Sequence, residues 1–326
     1  MPELPEVHTT ATMLNRLTKN QTVKDVWTDY HSLYHLGKKN IKDKIYFKEF
    51  CKAVIGKKIL GVRRRAKNVL IDLSGNITVL IHMKMTGHLL YGKYKRDTNP
   101  PARHRQAKAL AGGRIHANDT NNKEIWKAVE KGPLQDPYNR FIHLVFTLSN
   151  GKHIALSDVR KFAKVMYFET DKHPEDMLAL GPEPLLEDFS YSVFEKQILK
   201  RPKGKIKQVL MDQTLIAGIG NIYSDEILFA AGVHPASTIQ KIPEDKRRKI
   251  FKYIKTILKK GIKFKGDSMS DYRMPTGERG GFQYHHKAYR QTGKTCPKPN
   301  CKGKIEKIKV GGRSAHFCAA HQKKYN

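Results

Sequence analysis

Three features of this sequence predict a multidomain α+β fold. Two β-hairpin signals lie in the first half, helical periodicity fills the third quarter, and cysteines cluster near the end. At 326 residues the chain is long enough for two or three domains. The expected architecture is an N-terminal β-sandwich with flanking helices over 1–170 and a connector with a helical region over 171–281. A small hairpin unit over 282–326 completes it.

The elements follow in chain order. Glu6 to about Leu17 carries Val7, Met13, Leu14 and Leu17 near helical spacing, so the chain opens on a helix. Strands dominate from there to about 170. Val69–Leu73 runs through Ser74-Gly75-Asn76 into Ile77–Ile81, and Phe141–Leu148 through Ser149-Asn150-Gly151 into His153–Leu156. Asn and Gly between β-rich runs are hairpin cues. Cys51 reads as a small buried apolar residue. From about 96 to 135 the chain turns polar and basic, which reads as an exposed, partly mobile insertion with a short helix near Ile125–Val129. Its basic residues read as a solvated loop first and as a nucleic-acid contact second.

A proline-punctuated connector spans Asp171 to Pro184. Helical patterns then run over Tyr191–Leu199, Ile206–Met211, Ile222–Ala231 and Glu244–Lys260, with Gly232 placed to stop the third. Gly266 to Gly281 is glycine-rich, holds Pro275, and reads as a mobile loop. In the last unit Lys304–Val310 reads as a strand, Gly311-Gly312 as a turn and Ser314–Phe317 as the return strand.

The charge narrows the function classes. The chain carries 62 Lys+Arg against 30 Asp+Glu, a formal net charge of +32. Such an excess attracts polyanions, with an affinity that falls as salt rises. No run of about 18 apolar residues is present, and the N-terminus lacks the apolar stretch of a signal peptide. Nucleic acid is therefore the expected polyanion and a membrane is not. A basic structural protein is the bland alternative.

Three local patterns carry chemistry. If Met1 is removed, Pro2 becomes a free secondary amine, whose pKa near 8 leaves a useful neutral fraction for attack on an electrophilic carbon. Glu3 stands beside it for proton transfer. Cys296-x4-Cys301 and, after sixteen residues, Cys318-x2-His321 offer four ligands in two close pairs, the pattern of a structural zinc ribbon. His316 is a substitute for His321, though the x2 spacing favours His321. Ile216-Ala-Gly-Ile-Gly-Asn-Ile-Tyr223 joins two helices. Its glycines permit close backbone approach, and the following helix start suits an anion. Lys203, Lys205 and Lys207 precede it as a cationic rim, and the hairpin turn sets Arg313 at its tip, suited to a phosphate or sugar.

Taken together these stretches resemble the formamidopyrimidine-DNA glycosylases of the Fpg/endonuclease VIII family. The resemblance rests on Met1–Val7, Arg64–Lys67, His82–Gly87, Asp158–Phe162, Leu180–Leu185, Met211 through Pro235, and Gly311–Ser314 with Phe317-Cys318, all in the family's order. It implies a bifunctional glycosylase and lyase of base excision repair. Such an enzyme removes oxidised purines through a covalent Pro2 intermediate and cuts the strand by β- and δ-elimination. It further implies that the helical region is a helix–two-turn–helix, and that Glu3 is the catalytic acid. Lys67 and Arg313 then serve the later elimination. Lys203, Lys207 and Asn221 contact phosphate, and Met85, Arg160 and Phe162 enter the vacated duplex. The implied cofactor is one structural zinc ion. The implied partner is double-stranded DNA with damaged bases or abasic sites, met by a monomer in the cytoplasm at the bacterial nucleoid.

Several positions depart from the family's pattern. The first zinc knuckle is wider than usual, and His321 stands for the common fourth cysteine. His8 replaces a usual glutamate, Phe141 falls where a histidine is common, Lys161 replaces an arginine, and the 96–135 insertion is atypical. Two other readings stay open: an endonuclease VIII-like enzyme for oxidised pyrimidines, and a non-catalytic DNA-binding protein. The Met85, Arg160 and Phe162 set favours the first reading over the second, and the intact Pro2-Glu3 pair opposes the third.

Overall fold

Helix α1 (Leu4–Thr18) opens the chain in the computed structural model, which describes residues 1–97 and 125–326. Pro5 lies in its first turn, where a missing N–H costs nothing. Glu3 is its N-cap and trades hydrogen bonds with Glu6 in a capping box. Strand β1 (Val23–Thr28) follows, and then α2 (Lys44–Val54), a helix the sequence reading did not anticipate. Asp43 caps α2 by accepting the Tyr46 N–H at 2.7 Å, and Tyr46, Phe50 and Val54 recur every fourth residue to face the core. Cys51 sits at the core edge, half-buried rather than buried, and burial pushes its thiol up to about 11.

The strands are β2 (Ile59–Arg65), β3 (Asn68–Leu73), β4 (Ile77–His82), β5 (His88–Gly92), β6 (Tyr94–Asp97), β7 (Ile125–Ala128), β8 (Ile142–Leu148), β9 (His153–Ser157) and β10 (Lys164–Glu169). With β1, all but β6 and β7 form two four-stranded antiparallel sheets, ordered β1-β8-β9-β5 and β10-β4-β3-β2, and β6 and β7 pair as a two-stranded sheet of their own. One apolar core takes Leu70 and Leu80 from one sheet, Leu144 and Leu156 from the other, Leu14 from α1 and Phe50 from α2. Both anticipated hairpins are present as β3–β4 and β8–β9.

The insertion's flanks correct an expectation. Residues 125–128 are a strand, not a helix, paired with β6 so that Arg96 faces Trp126. Trp126 packs on Trp27 at 5.9 Å between ring centroids. The β-branched Ile125 and the aromatic Trp126 favour a strand, and β6 offers a partner to pair with. The expected mobility over 98–124 lies outside the described residues.

Helix α3 (Glu175–Leu178) adds Met177 to the first core, and α4 (Tyr191–Ile198), α5 (Ile206–Met211), α6 (Asn221–Ala231) and α7 (Glu244–Lys263) build a second, with Phe194, Ile216, Tyr223, Ile227, Ile254 and Leu258 inside. Leu4 of α1 belongs to this core too, so the first helix spans both halves. Gly232 ends α6 in the left-handed conformation at φ +69°. Strands β11 (Glu306–Val310) and β12 (Arg313–Phe317) form the terminal hairpin. Among the described residues no helix is long and apolar enough to cross a membrane.

The segment 266–281 is not the free loop its composition suggested. Asp267 N–H donates to Glu6 Oε1 at 2.7 Å, Tyr91 N–H donates to Pro275 O at 2.7 Å, and the buried Arg273 pairs with Asp136 at 3.0 Å. Contacts distant in sequence supply the order that local periodicity lacks.

Candidate active site and nucleic-acid interface

The fold brings the chain start against the glycine-rich junction between α5 and α6. Leu4 N–H donates to Gly218 O at 3.0 Å. The Glu3 carboxylate accepts N–H groups from Gly220 at 2.8 Å, Ile222 at 2.9 Å and Tyr223 at 3.3 Å, so it caps α6. A carboxylate is favoured there by the unpaired N–H groups and the helix dipole. Glycine is required twice. Gly218 has φ +89°, and a Cβ on Gly220 would lie 2.5 Å from the Glu3 carboxyl carbon.

Lys67 reaches the same junction from the turn between β2 and β3. It is buried and donates to Ile219 O at 2.8 Å. Burial pulls its pKa below the usual lysine value and Arg313 pulls the same way, while Glu3 and Glu6 oppose them. Burial raises Glu3 above the ordinary carboxylate range, against Lys67 and the α6 amides. Pro2 is buried, whereas Met1 is 39% exposed. Pro2, an acid and a lysine thus share one small region, and removal of Met1 would turn the Pro2 amide nitrogen into a secondary amine suited to covalent chemistry with nearby proton transfer.

Two buried carboxylates that the sequence reading gave no role complete this region. Glu6 accepts from Glu3 N–H at 2.8 Å, the Tyr223 hydroxyl at 2.7 Å and Asp267 N–H at 2.7 Å. Burial, helped by Glu3, lifts its pKa to about 7. Glu183 pairs with Arg64 at 2.6 Å and Arg65 at 3.0 Å and accepts the Ala66 amide, which fixes the turn that carries Lys67. The only sequence signal for either was its place inside a matching motif.

The basic rim is less uniform than expected. Lys203 is exposed and Asn221 is half-buried at the first residue of α6. Lys207 is fully buried, paired with Asp225 at 2.5 Å. As placed, it braces α6 from within instead of meeting a phosphate, because Asp225 offers a closer anion than solvent can. Asp225 also accepts the His316 N–H at 3.0 Å and lies 2.8 Å from its Nδ1, tying the terminal hairpin to α6. Arg313 stands exposed at the hairpin tip. Met85 and Phe162 are 38% and 48% exposed, and the Arg160 guanidinium lies 4.4 Å from the Phe162 ring centroid.

The cysteines converge in part. The sulfurs of Cys296, Cys301 and Cys318 lie within 4.8 Å of one another, and Cys301 and Cys318 are 3.8 Å apart. Two thiolates bound to one tetrahedral zinc stand about 3.8 Å apart, so the donor set fits that ion. The expected fourth ligand does not join them: His321 Nε2 lies 2.7 Å from Phe229 O, with its ring against Phe229. His316 is occupied by Asp225.

The sequence matches the family model of the formamidopyrimidine-DNA glycosylase N-terminal domain over residues 1–165 and that of the H2TH domain over 180–273. The chain belongs to the formamidopyrimidine-DNA glycosylase family. Relatives include the formamidopyrimidine-DNA glycosylase of Pelotomaculum thermopropionicum, 33% identical over 99% of both chains. That of Herpetosiphon aurantiacus is 32% identical over 99% of this chain and 100% of its own. Among solved structures, Lactococcus lactis Fpg with DNA containing an abasic site has a TM-score of 0.76 at 28% identity, covering 99% of this chain and 100% of that one. A MutM complex with DNA containing carbocyclic 8-oxo-G has a TM-score of 0.75 at 29% identity with the same coverage. In this chain the Glu3, Lys67 and Gly220 cluster falls where residues of the N-terminal domain meet residues of the H2TH domain.

Proposed function

We propose that the chain is a bifunctional DNA glycosylase and lyase of base excision repair, acting on oxidised purines such as 8-oxoguanine and formamidopyrimidines. The observation that supports this reading is the convergence of Glu3, Leu4 and Lys67 on the Gly218–Gly220 junction, with Pro2 next in the chain to Glu3. With Met1 removed, the Pro2 nitrogen attacks the anomeric carbon of the damaged nucleotide, and the bond to the base breaks as the base leaves with a proton. Glu3 supplies the acid that opens the sugar ring, leaving an iminium between Pro2 and the sugar. That cation acidifies the neighbouring sugar proton. Its removal expels the 3′ phosphate, and a second elimination expels the 5′ phosphate. Lys67 and Arg313 hold phosphate and move protons in these later steps.

DNA lies across the hairpin tip, the start of α6 and the Met85, Arg160 and Phe162 side chains, with Lys203 at the rim and Lys207 bracing from inside. The division at 1–170, 171–281 and 282–326 assigns chemistry to the first part and grip to the other two. Cys296, Cys301 and Cys318 would hold one zinc ion, with His321 as the fourth residue nearby in sequence, and the ion would supply structural cross-linking of the terminal hairpin. The protein works as a monomer at the nucleoid.

The test is a substrate panel. Duplexes with 8-oxoguanine opposite cytosine should be cut to a one-nucleoside gap faster than duplexes with thymine glycol. Preference for thymine glycol would transfer the chain to the endonuclease VIII-like reading, and binding without cutting would leave a non-catalytic DNA-binding protein.

A further inference from the structure

Asp158 is fully buried and holds three loops together. Its carboxylate accepts the Tyr30 hydroxyl at 2.9 Å, the Ala163 amide at 2.8 Å and the Thr86 hydroxyl. Thr86 Oγ1 in turn accepts the Arg160 N–H at 3.2 Å. The segment that follows Tyr30 is fastened again at its far end. Ile41 N–H donates to Val165 O at 3.1 Å, and Lys42 Nζ donates to Lys161 O at 2.7 Å. Lys161 Nζ reaches back to the Asp29 carboxylate at 3.2 Å. These contacts fasten the two ends of the 31–40 segment, the Met85 turn and the Arg160–Phe162 turn into one rim.

Each part of that rim shows apolar side chains to solvent. The turn at Leu33–His35 shows the most: Leu33 is 90% exposed, Tyr34 79% and Leu36 68%. Three large apolar side chains at one tip form a patch that favours burial against a partner. Cations surround it. The Lys38 ammonium lies 4.1 Å from the Tyr34 ring centroid, Lys39 and Lys44 are exposed, and the neighbouring acid Asp43 is buried as the α2 cap. Apolar tips ringed by lysines suit a groove walled by phosphates, where the tips lie against sugars and bases.

We propose that the Leu33–Leu36 turn is a further DNA-contacting element, an apolar tip that enters the same duplex beside Met85, Arg160 and Phe162. The inference rests on the DNA-repair reading above, because it takes the rim to face DNA. Its occupant is that duplex, on the evidence of the surrounding lysines and of continuity with the Arg160–Phe162 turn.

The experiment compares wild type with the Leu33→Ser/Tyr34→Ser/Leu36→Ser variant by fluorescence anisotropy on a duplex carrying a stable abasic analogue. All three side chains are exposed, so the melting temperature should be unchanged. Affinity should fall about tenfold while the salt slope stays the same, since the variant deletes apolar surface and no charge. A Lys38→Ala/Lys39→Ala variant should instead flatten the salt slope by about 2. Wild-type affinity in the triple variant overturns the proposal and leaves the glycosylase reading intact. Failure of the wild type to bind damaged DNA at all overturns that reading itself. A wild-type dimer that the triple variant dissociates, with DNA affinity unchanged, makes the turn a self-association surface and also overturns the proposal.

Discussion

Glu3 and Gly220 are 217 positions apart in sequence and 2.8 Å apart in space, the Gly220 N–H donating to Glu3 Oε2. This contact, with those from Ile222 and Tyr223, places the acid at the start of α6. It also explains why the glycine is needed, since a Cβ there would overlap the carboxylate.

Gly220→Ala should therefore drive Glu3 out of its place. Base release in single-turnover assays should slow by about 100-fold or more, the usual worth of a positioned general acid. Binding to an uncleavable abasic analogue should change far less. Wild-type base release in this variant would detach Glu3 from the chemistry.

Glu6 sets a pH dependence of stability. Its carboxyl has an ordinary value of 4.5 and rises to about 7 when folded, because burial disfavours the charge. Between those values the folded state holds the proton and the unfolded state does not, so stability falls as pH rises. Wild type should lose up to about 3 kcal/mol relative to Glu6→Gln between pH 4.5 and 7, measured by denaturant unfolding. Any mismatch the glutamine makes with the Glu3 N–H is independent of pH and cancels in that comparison. A flat difference would show that Glu6 titrates normally.

Asp225 joins Lys207 to the hairpin through His316. Asp225→Asn should leave a buried, unpaired ammonium and cost about 3–5 kcal/mol of stability. The double variant Asp225→Asn/Lys207→Met should recover part of that loss in chemical denaturation. Equal loss in the single and double variants would mean the pair contributes nothing as a pair.

These contacts mark where the sequence stops being legible. Helix α1 and the β3–β4 and β8–β9 hairpins were readable because their signals are local: apolar spacing, and Asn and Gly between β-rich runs. The meeting of Glu3 with Gly220–Tyr223 was not readable: the resemblance gave chemistry to Pro2-Glu3 and phosphate contact to Asn221, and only the folded chain brings the two motifs together. Helix α2 escaped because Phe47, Phe50 and Cys51 sit among strand-like neighbours, and its start depends on the Asp43 cap. The burial of Lys207 was invisible because Asp225 is 18 positions away and lies on the next helix. The order of 266–281 was invisible for the same reason, since Glu6, Tyr91 and Asp136 hold it from afar.

Metal content tests the terminal hairpin. Purified protein should carry about one zinc per chain, and Cys318→Ser should release it and weaken DNA binding. His321→Ala should lower zinc affinity but keep binding measurable, because three thiols remain, and His321→Cys should raise it. Full DNA affinity after complete zinc removal would detach the metal from the Arg313 hairpin.

The central claim is that the Pro2 nitrogen bonds to the sugar. Protein with Met1 removed, mixed with DNA containing an abasic site and treated with borohydride, should yield a stable adduct, and peptide mass spectrometry should place the nucleotide on the N-terminal proline. A fully active preparation whose proline nitrogen is blocked, or an adduct mapped to Lys67 alone, would contradict the account.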